Sequence, residues 1–231
     1  MTVRPQQSPS RLVVVGIALA AVAALAACSS PQTHFYTLGT EYSGTGRTEP
    51  VNPPFLIQVP AVGMPEDVAR NQLVIHRNVE RVDVLEEERW ASPPADEIRR
   101  ALSSALTHRL DTVDVTDLAY PPGVPVYRVS VNVQRFESWP GERAVIDAVW
   151  SVRSLASQAV MTCRTWVAEP VSLGYDALVA GHRKAVGYLA EQVTSGVRAM
   201  AAGRSRVTSA GQVSSAVPCP SAISAPMRDA P

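Results

Sequence analysis

Three cysteines carry most of the chemistry this sequence can do. Cys28 closes the run Leu25-Ala26-Ala27-Cys28, which ends an apolar stretch over residues 12–26 that Arg4 and Arg11 precede. That stretch matches the ~7–15 residues of a signal h-region and falls short of the ~20 needed to span a bilayer. Ala26 and Ala27 are small enough for a signal peptidase, and polar Ser29-Ser30-Pro31 follows at once, so the four residues read as a lipobox. A thiol in that place is a site for thioether lipidation. With Cys28 consumed, Cys163 and Cys219 remain as an even pair in a disulfide-permissive compartment. Two readings are open for them: a bridge pinning a Pro-flanked tail to a strand-like segment, or two free thiols, one of them buried.

Other chemistries lack the spacing they need. His34, His76, His108 and His182 fall in different elements, and no His-Glu-x-x-His run or Cys-x-x-Cys pair offers metal ligands. His182 reads as a half-exposed helix residue. There is no Gly-x-Ser-x-Gly elbow, and Gly44-x-Gly46 has neither the strand nor the helix that would make it a phosphate loop. Asp111, Asp114 and Asp117 read as solvated edges of a short strand, and Glu86-Glu87-Glu88 as a solvated strand end. We expect no catalytic residue, no metal and no cofactor apart from covalent lipid, so not an enzyme.

Composition agrees with an anchored globular domain. Of 231 residues, 46% are hydrophobic, enough for a real core, and the net charge is zero, which gives no pull toward nucleic acid or anionic lipid. The divisions read as signal peptide 1–27, lipidated N-terminus and tether 28–54, folded domain 55–202 and a Ser/Ala/Pro-rich disordered tail 203–231.

The elements follow from periodicity. Residues 34–38 have strand character inside the tether, and Phe55-Leu56-Ile57-Gln58-Val59 reads as a buried strand. Two short strands at 73–76 and 82–85 flank a candidate hairpin turn. Pro93-Pro94 opens a helix whose Ile98, Leu102, Ala105, Leu106 and Leu110 share a face, with Asp96 and Glu97 at its positive end and His108 and Arg109 at its negative end. Val113-Asp114-Val115 reads as another strand. Tyr127, Val129, Val131 and Val133 alternate with polar residues; 144–152 and 160–168 return, giving an antiparallel meander. A last helix covers about 175–200. The expected fold is a mixed α+β single domain: a mostly antiparallel sheet with two main helices packed on it. Trp139 at a turn and Trp90 before the first helix are candidate interface anchors, and open sheet edges could pair with neighbouring copies.

Two resemblances add to this reading. The lipobox resembles that of bacterial lipoproteins, which implies cleavage between Ala27 and Cys28, a diacylglyceryl thioether on Cys28 and an acyl chain such as palmitate on the new amine. Two or more chains hold a protein stably where one does not.

The mature chain, in turn, resembles the PqiC (YmbA-type) family of auxiliary lipoproteins. The matching residues are Phe35-Tyr36-Thr37-Leu38, Ile57-Gln58-Val59-Pro60, Arg70-Asn71-Gln72-Leu73-Val74, the Val129 to Phe136 strand with its "val-x-val-x-x-phe" spacing, Ala148-Val149-Trp150, and Tyr175-Asp176-Ala177-Leu178 with Leu189-Ala190. Where the family has "trp-ala-glu-pro-leu" this chain has Trp90-Ala91-Ser92-Pro93-Pro94, and the Cys219 tail lies outside the pattern. The resemblance implies a non-catalytic subunit of an ABC-type lipid transport system. It would dock as a homo-oligomeric ring on an MCE-domain protein and support envelope integrity. Ser29 after Cys28, rather than Asp, favours the periplasmic face of the outer membrane over the inner membrane. The alternative is a stand-alone lipoprotein for cell-wall or outer-membrane assembly.

Overall fold

The computed structural model describes residues 32–39, 52–203 and 219–220. The lipobox Leu25-Ala26-Ala27-Cys28, Gly44 and Gly46 of the tether and most of the C-terminal tail lie outside the described residues. Among the described residues are seven strands and two helices: β1 (His34–Tyr36), β2 (Leu56–Gln58), β3 (Gln72–His76), β4 (Val82–Trp90), α1 (Pro94–Leu110), β5 (Val126–Trp139), β6 (Arg143–Ser154), β7 (Val160–Pro170) and α2 (Tyr175–Ala201). The fold is mixed α+β, as the periodicity predicts, but the strands form two mixed sheets, in the orders β1-β4-β3 and β2-β5-β6-β7. Each sheet is antiparallel except for one short parallel strand at its edge: β1 beside β4, and β2 beside β5.

The meander is the framework. β5 pairs with β6 from Tyr127↔Ser154 to Trp139↔Arg143, with a bulge between Val133 and Arg135. A bulge adds one residue and reverses which side chains point inward. Tyr127, Val129, Val131 and Val133 face the core before it, and Phe136 and Ser138 after it. The second sheet continues through β6–β7 pairing from Arg143↔Pro170 to Arg153↔Val160. The first sheet adjoins it where the His76 ring stacks on Trp139, centroids 4.4 Å apart.

Two sequence expectations are corrected here. Val113-Asp114-Val115 is not a strand; it makes an isolated parallel bridge between Asp114 and Ile57. β1 lies within the segment read as tether, yet it belongs to the folded unit, which begins at His34.

Helix α1 starts where Pro93 and Pro94 allow it, since a proline in the first turn forfeits no helical hydrogen bond. It stops at Asp111, whose φ of 52° is left-handed and whose N–H closes onto the Thr107 carbonyl; a short polar side chain tolerates that conformation. Its apolar stripe packs on α2, and the Arg109–Glu191 pair at 3.1 Å lies between the two. α2 in turn lies along the inner face of β6 and β7, burying Leu178, Ala185, Val186, Leu189, Val193 and Val197.

Close approach of α2 to the sheet requires glycine. A Cβ on Gly196 would stand 2.8 Å from the Trp150 ring and 3.3 Å from the Met161 sulfur, whereas one on Gly187 would meet nothing within 4 Å. The same substitution therefore has opposite signs along one helix. Gly187→Ala should raise stability by about 0.5–1 kcal/mol, the helix-propensity gain. Gly196→Ala should lower it, because overpacking of about 1–3 kcal/mol outweighs that gain. Urea unfolding of the two variants checks both signs.

Candidate functional site

No group of three or more His, Cys, Asp or Glu residues among the described residues is placed to hold a metal ion. What the structure builds is a latch on the N-terminal strand, a buried polar pair inside the core, and an uncovered outer face of the sheets.

The latch is Glu97, in the first turn of α1 and only 2% exposed. Its carboxylate accepts hydrogen bonds from Thr37 Oγ1 at 2.8 Å, the Leu38 N–H at 2.9 Å, Ser92 Oγ at 2.5 Å and Arg100 at 2.6 Å. Burial alone would push this carboxyl up; the donors from Ser92, Thr37 and Leu38, with the Arg100 charge, outweigh it and hold the group below the usual carboxylate range. Ser92, where the resembled family carries an acid, is thus one of the donors. Glu97 ties the residues just after β1 to the helix that opens the core. Upstream, Tyr36 donates to Glu88 at 2.6 Å, and burial followed by that acceptor raises its pKa.

His182 is not half-exposed as expected. It is fully buried, stacked on Phe136 with centroids 4.0 Å apart and joined through Nε2 to Ser138 Oγ at 2.8 Å. Desolvation pulls its pKa down to about 3, so the ring is neutral.

Of the two tryptophans expected as interface anchors, Trp90 is corrected. Trp90 is 2% exposed and packs edge-on to His182 within the core, so it offers nothing to a partner. Trp139 ends β5 and opens the turn to β6, its carbonyl accepting from the Glu142 N–H at 3.0 Å. It is half-buried between His76 and the Arg143 guanidinium, 4.7 Å from the ring centroid, and its Nε1 donates to Glu137 at 3.0 Å. Trp166 on β7 faces solvent instead, 56% exposed, as does Phe35 on β1 at 67%. Beside Trp166, Asp147 is 1% exposed on the outer face, gripped by Arg164 through two bonds of 2.8 and 2.6 Å. The Arg164 hydrogen bond holds its carboxyl below the ordinary range against the cost of burial. An acid in the middle of Ala144-Val145-Ile146-Asp147-Ala148 is the signal that could have disclosed this pair.

Cys163 and Cys219 are bridged, with Cα atoms 5.7 Å apart, so the tail returns to β7. Of the aspartates read as solvated edges, Asp111 and Asp117 are exposed, but Asp111 belongs to a helix end and Asp114 is held by hydroxyl groups. Asp111 caps α1, and Asp114 accepts from Ser103 at 2.6 Å and from Thr116 Oγ1 at 2.7 Å.

Solved structures share this architecture. One, the crystal structure of an uncharacterized protein, superposes with a TM-score of 0.58 at 17% identity, covering 72% of this chain and 99% of its own. Protein XCC0632 from Xanthomonas campestris gives 0.55 at 17% identity, covering 74% of this chain and 98% of its own. These likenesses concern the fold. No curated protein matches the sequence. The chain belongs to the family of ABC-type transport auxiliary lipoprotein components, whose sequence pattern matches residues 36–194.

Two outcomes follow from the buried polar groups. Glu97→Gln should destabilise the domain by about 1–3 kcal/mol, the cost of weakening charged hydrogen bonds that stay buried, measured by urea unfolding. For His182, the unfolded chain binds a proton near pH 6.5 while the folded ring stays neutral down to about 3. The unfolded state therefore holds more protons in that window, and stability falls as pH drops through it. The double variant His182→Phe, Ser138→Ala should lose that slope between about pH 6.5 and 4.5; an unchanged slope would assign it elsewhere.

Proposed function

We propose that this chain is the membrane-anchored, non-catalytic auxiliary subunit of an MCE-type ABC lipid transport system that works between the inner and outer membranes. Acylated at Cys28, it would sit at the periplasmic face of the outer membrane and dock as a homo-oligomeric ring on the MCE-domain protein. The observation that carries this reading is the family match over residues 36–194. It runs from the last residue of β1 through most of α2, and so takes in the folded unit rather than one motif. The lipobox Leu25-Ala26-Ala27-Cys28 ahead of it supplies the anchor.

The chemistry of the domain suits a docking subunit. Its buried carboxylates Glu97 and Asp147 are engaged with hydrogen-bond donors, and Trp166 and Phe35 remain exposed on the sheets. Exposed aromatics are the side chains that interfaces use most.

Crosslinking in cells followed by pull-down should recover an MCE-domain protein with the wild-type chain, and light scattering of the mature protein should show a defined oligomer. Cys28→Ala should leave the fold intact and abolish complementation of an envelope defect. A monomer with no MCE partner would overturn the reading.

A further inference from the structure

The domain has two ends, and the strand directions assign one of them to the anchor. At one end the β3–β4 turn follows His76, which stacks on Trp139 beside the β5–β6 turn. The loop between β7 and α2 rests on that second turn: the Val171 N–H donates to the Glu142 carbonyl at 3.0 Å, and a Cβ on Gly141 would meet the Leu173 side chain at 2.7 Å. Three connections thus meet there, and two of them carry the most exposed large apolar side chains among the described residues, Val79 at 84% and Leu173 at 85%. Single exposed apolar residues are ordinary on a protein surface. Their shared end, and what reaches it, make these two different.

β1 runs parallel to β4, with His34 level with Glu88. β4 leads away from the β3–β4 turn, so β1 does too, and the chain read backward from His34 heads toward that turn. Cys28 is six residues before His34, as Val82 at the start of β4 is six before Glu88. At about 3.3–3.6 Å per residue the tether spans at most about 20 Å, enough to bring Cys28 level with the turn. The opposite end holds Leu118, joined through Val115 to Val126 at the start of β5.

Resting on the reading of Cys28 as the acylated residue, we infer that the end formed by these three connections is the domain's membrane-contacting surface, with Val79 and Leu173 seated among phospholipid head groups. Arg77, Arg81 and Arg143 ring it, each paired with a local carboxylate of Asp83 or Glu142. Such charge balance suits a mainly zwitterionic surface.

The test uses the acylated protein with a single added cysteine, Val79→Cys, Leu173→Cys or Leu118→Cys, labelled with an environment-sensitive NBD dye. The native cysteines are blocked by the bridge and the thioether. In vesicles of phosphatidylethanolamine with a minor share of phosphatidylglycerol, emission at 79 and 173 should rise several-fold, shift to the blue and be quenched by head-group spin-labelled lipid. Emission at 118 should match that of the same variant carrying Cys28→Ala in solution. Vesicle-bound protein with 79 and 173 as wet as 118, or with 118 shielded instead, would overturn the orientation. Shielding of 79 and 173 already in the soluble Cys28→Ala protein would assign that end to a second copy of the chain. An unmodified Cys28 by mass spectrometry would overturn the anchor itself, a failure distinct from the others.

Discussion

Contact between α2 and the inner face of the four-stranded sheet sets the terms for the rest of the molecule. Gly196 lets the helix backbone rest against Trp150 and Met161, and Gly181 does the same against Val171 and Ala144. The Trp150 indole, buried by this approach, keeps its N–H satisfied by donating to Thr165 Oγ1 at 2.9 Å, as a buried indole must. With α2 on the sheet, α1 packs against α2, and Glu97 at the head of α1 is placed to hold Thr37 and Leu38. Neither helix crosses to the other face. The outer face is left to its own side chains, and Asp147 with Arg164 is how that face buries a carboxylate without a helix above it.

Such a one-sided arrangement concentrates different demands on different surfaces. The inner face needs shape, so its polar groups are few: His182 Nε2 meets Ser138 and Trp150 donates to Thr165, while His182 Nδ1 stays buried without a hydrogen bond. The outer face needs solubility, and its ion pairs, such as Arg135 with Glu137 at 2.6 Å, are mostly half in water. Pairs of that kind add little stability. Their use is to leave the apolar side chains that stay exposed, Trp166 and Phe35 among them, set apart in a polar surround.

Much of this was legible in the residues. Alternation through β5, β6 and β7 marks the meander, and the two-residue gap before Phe136 is the bulge written in sequence, since an extra residue is what restores the inward face. The stripes of α1 and α2 are equally plain. The parallel pairing of β1 and β2 was not legible, although both segments read as strands, because their partners stand far along the chain, His34 at Glu88 and Leu56 at Val126. Glu97 looks like any first-turn acid placed for the helix dipole, and only the return of Thr37 and Leu38 turns it into a latch. Trp90 is buried where its place before a helix suggested an interface anchor, and Trp166 faces solvent. Trp90 precedes a helix and Trp166 sits in a strand, but burial depends on which face the register presents, and the irregularity between Gln72 and Leu73 shifts that register for β4.

The direction of β1 also has a mechanical meaning. A pull applied through the residues ahead of His34 acts along the strand axis, so the hydrogen bonds to β4 are loaded together in shear instead of parting one after another. Behind them, the Glu97 grip on Thr37 and Leu38 takes up whatever strain passes the strand. Force entering through that strand is thus shared between the β1–β4 ladder and the first turn of α1 before it reaches the meander.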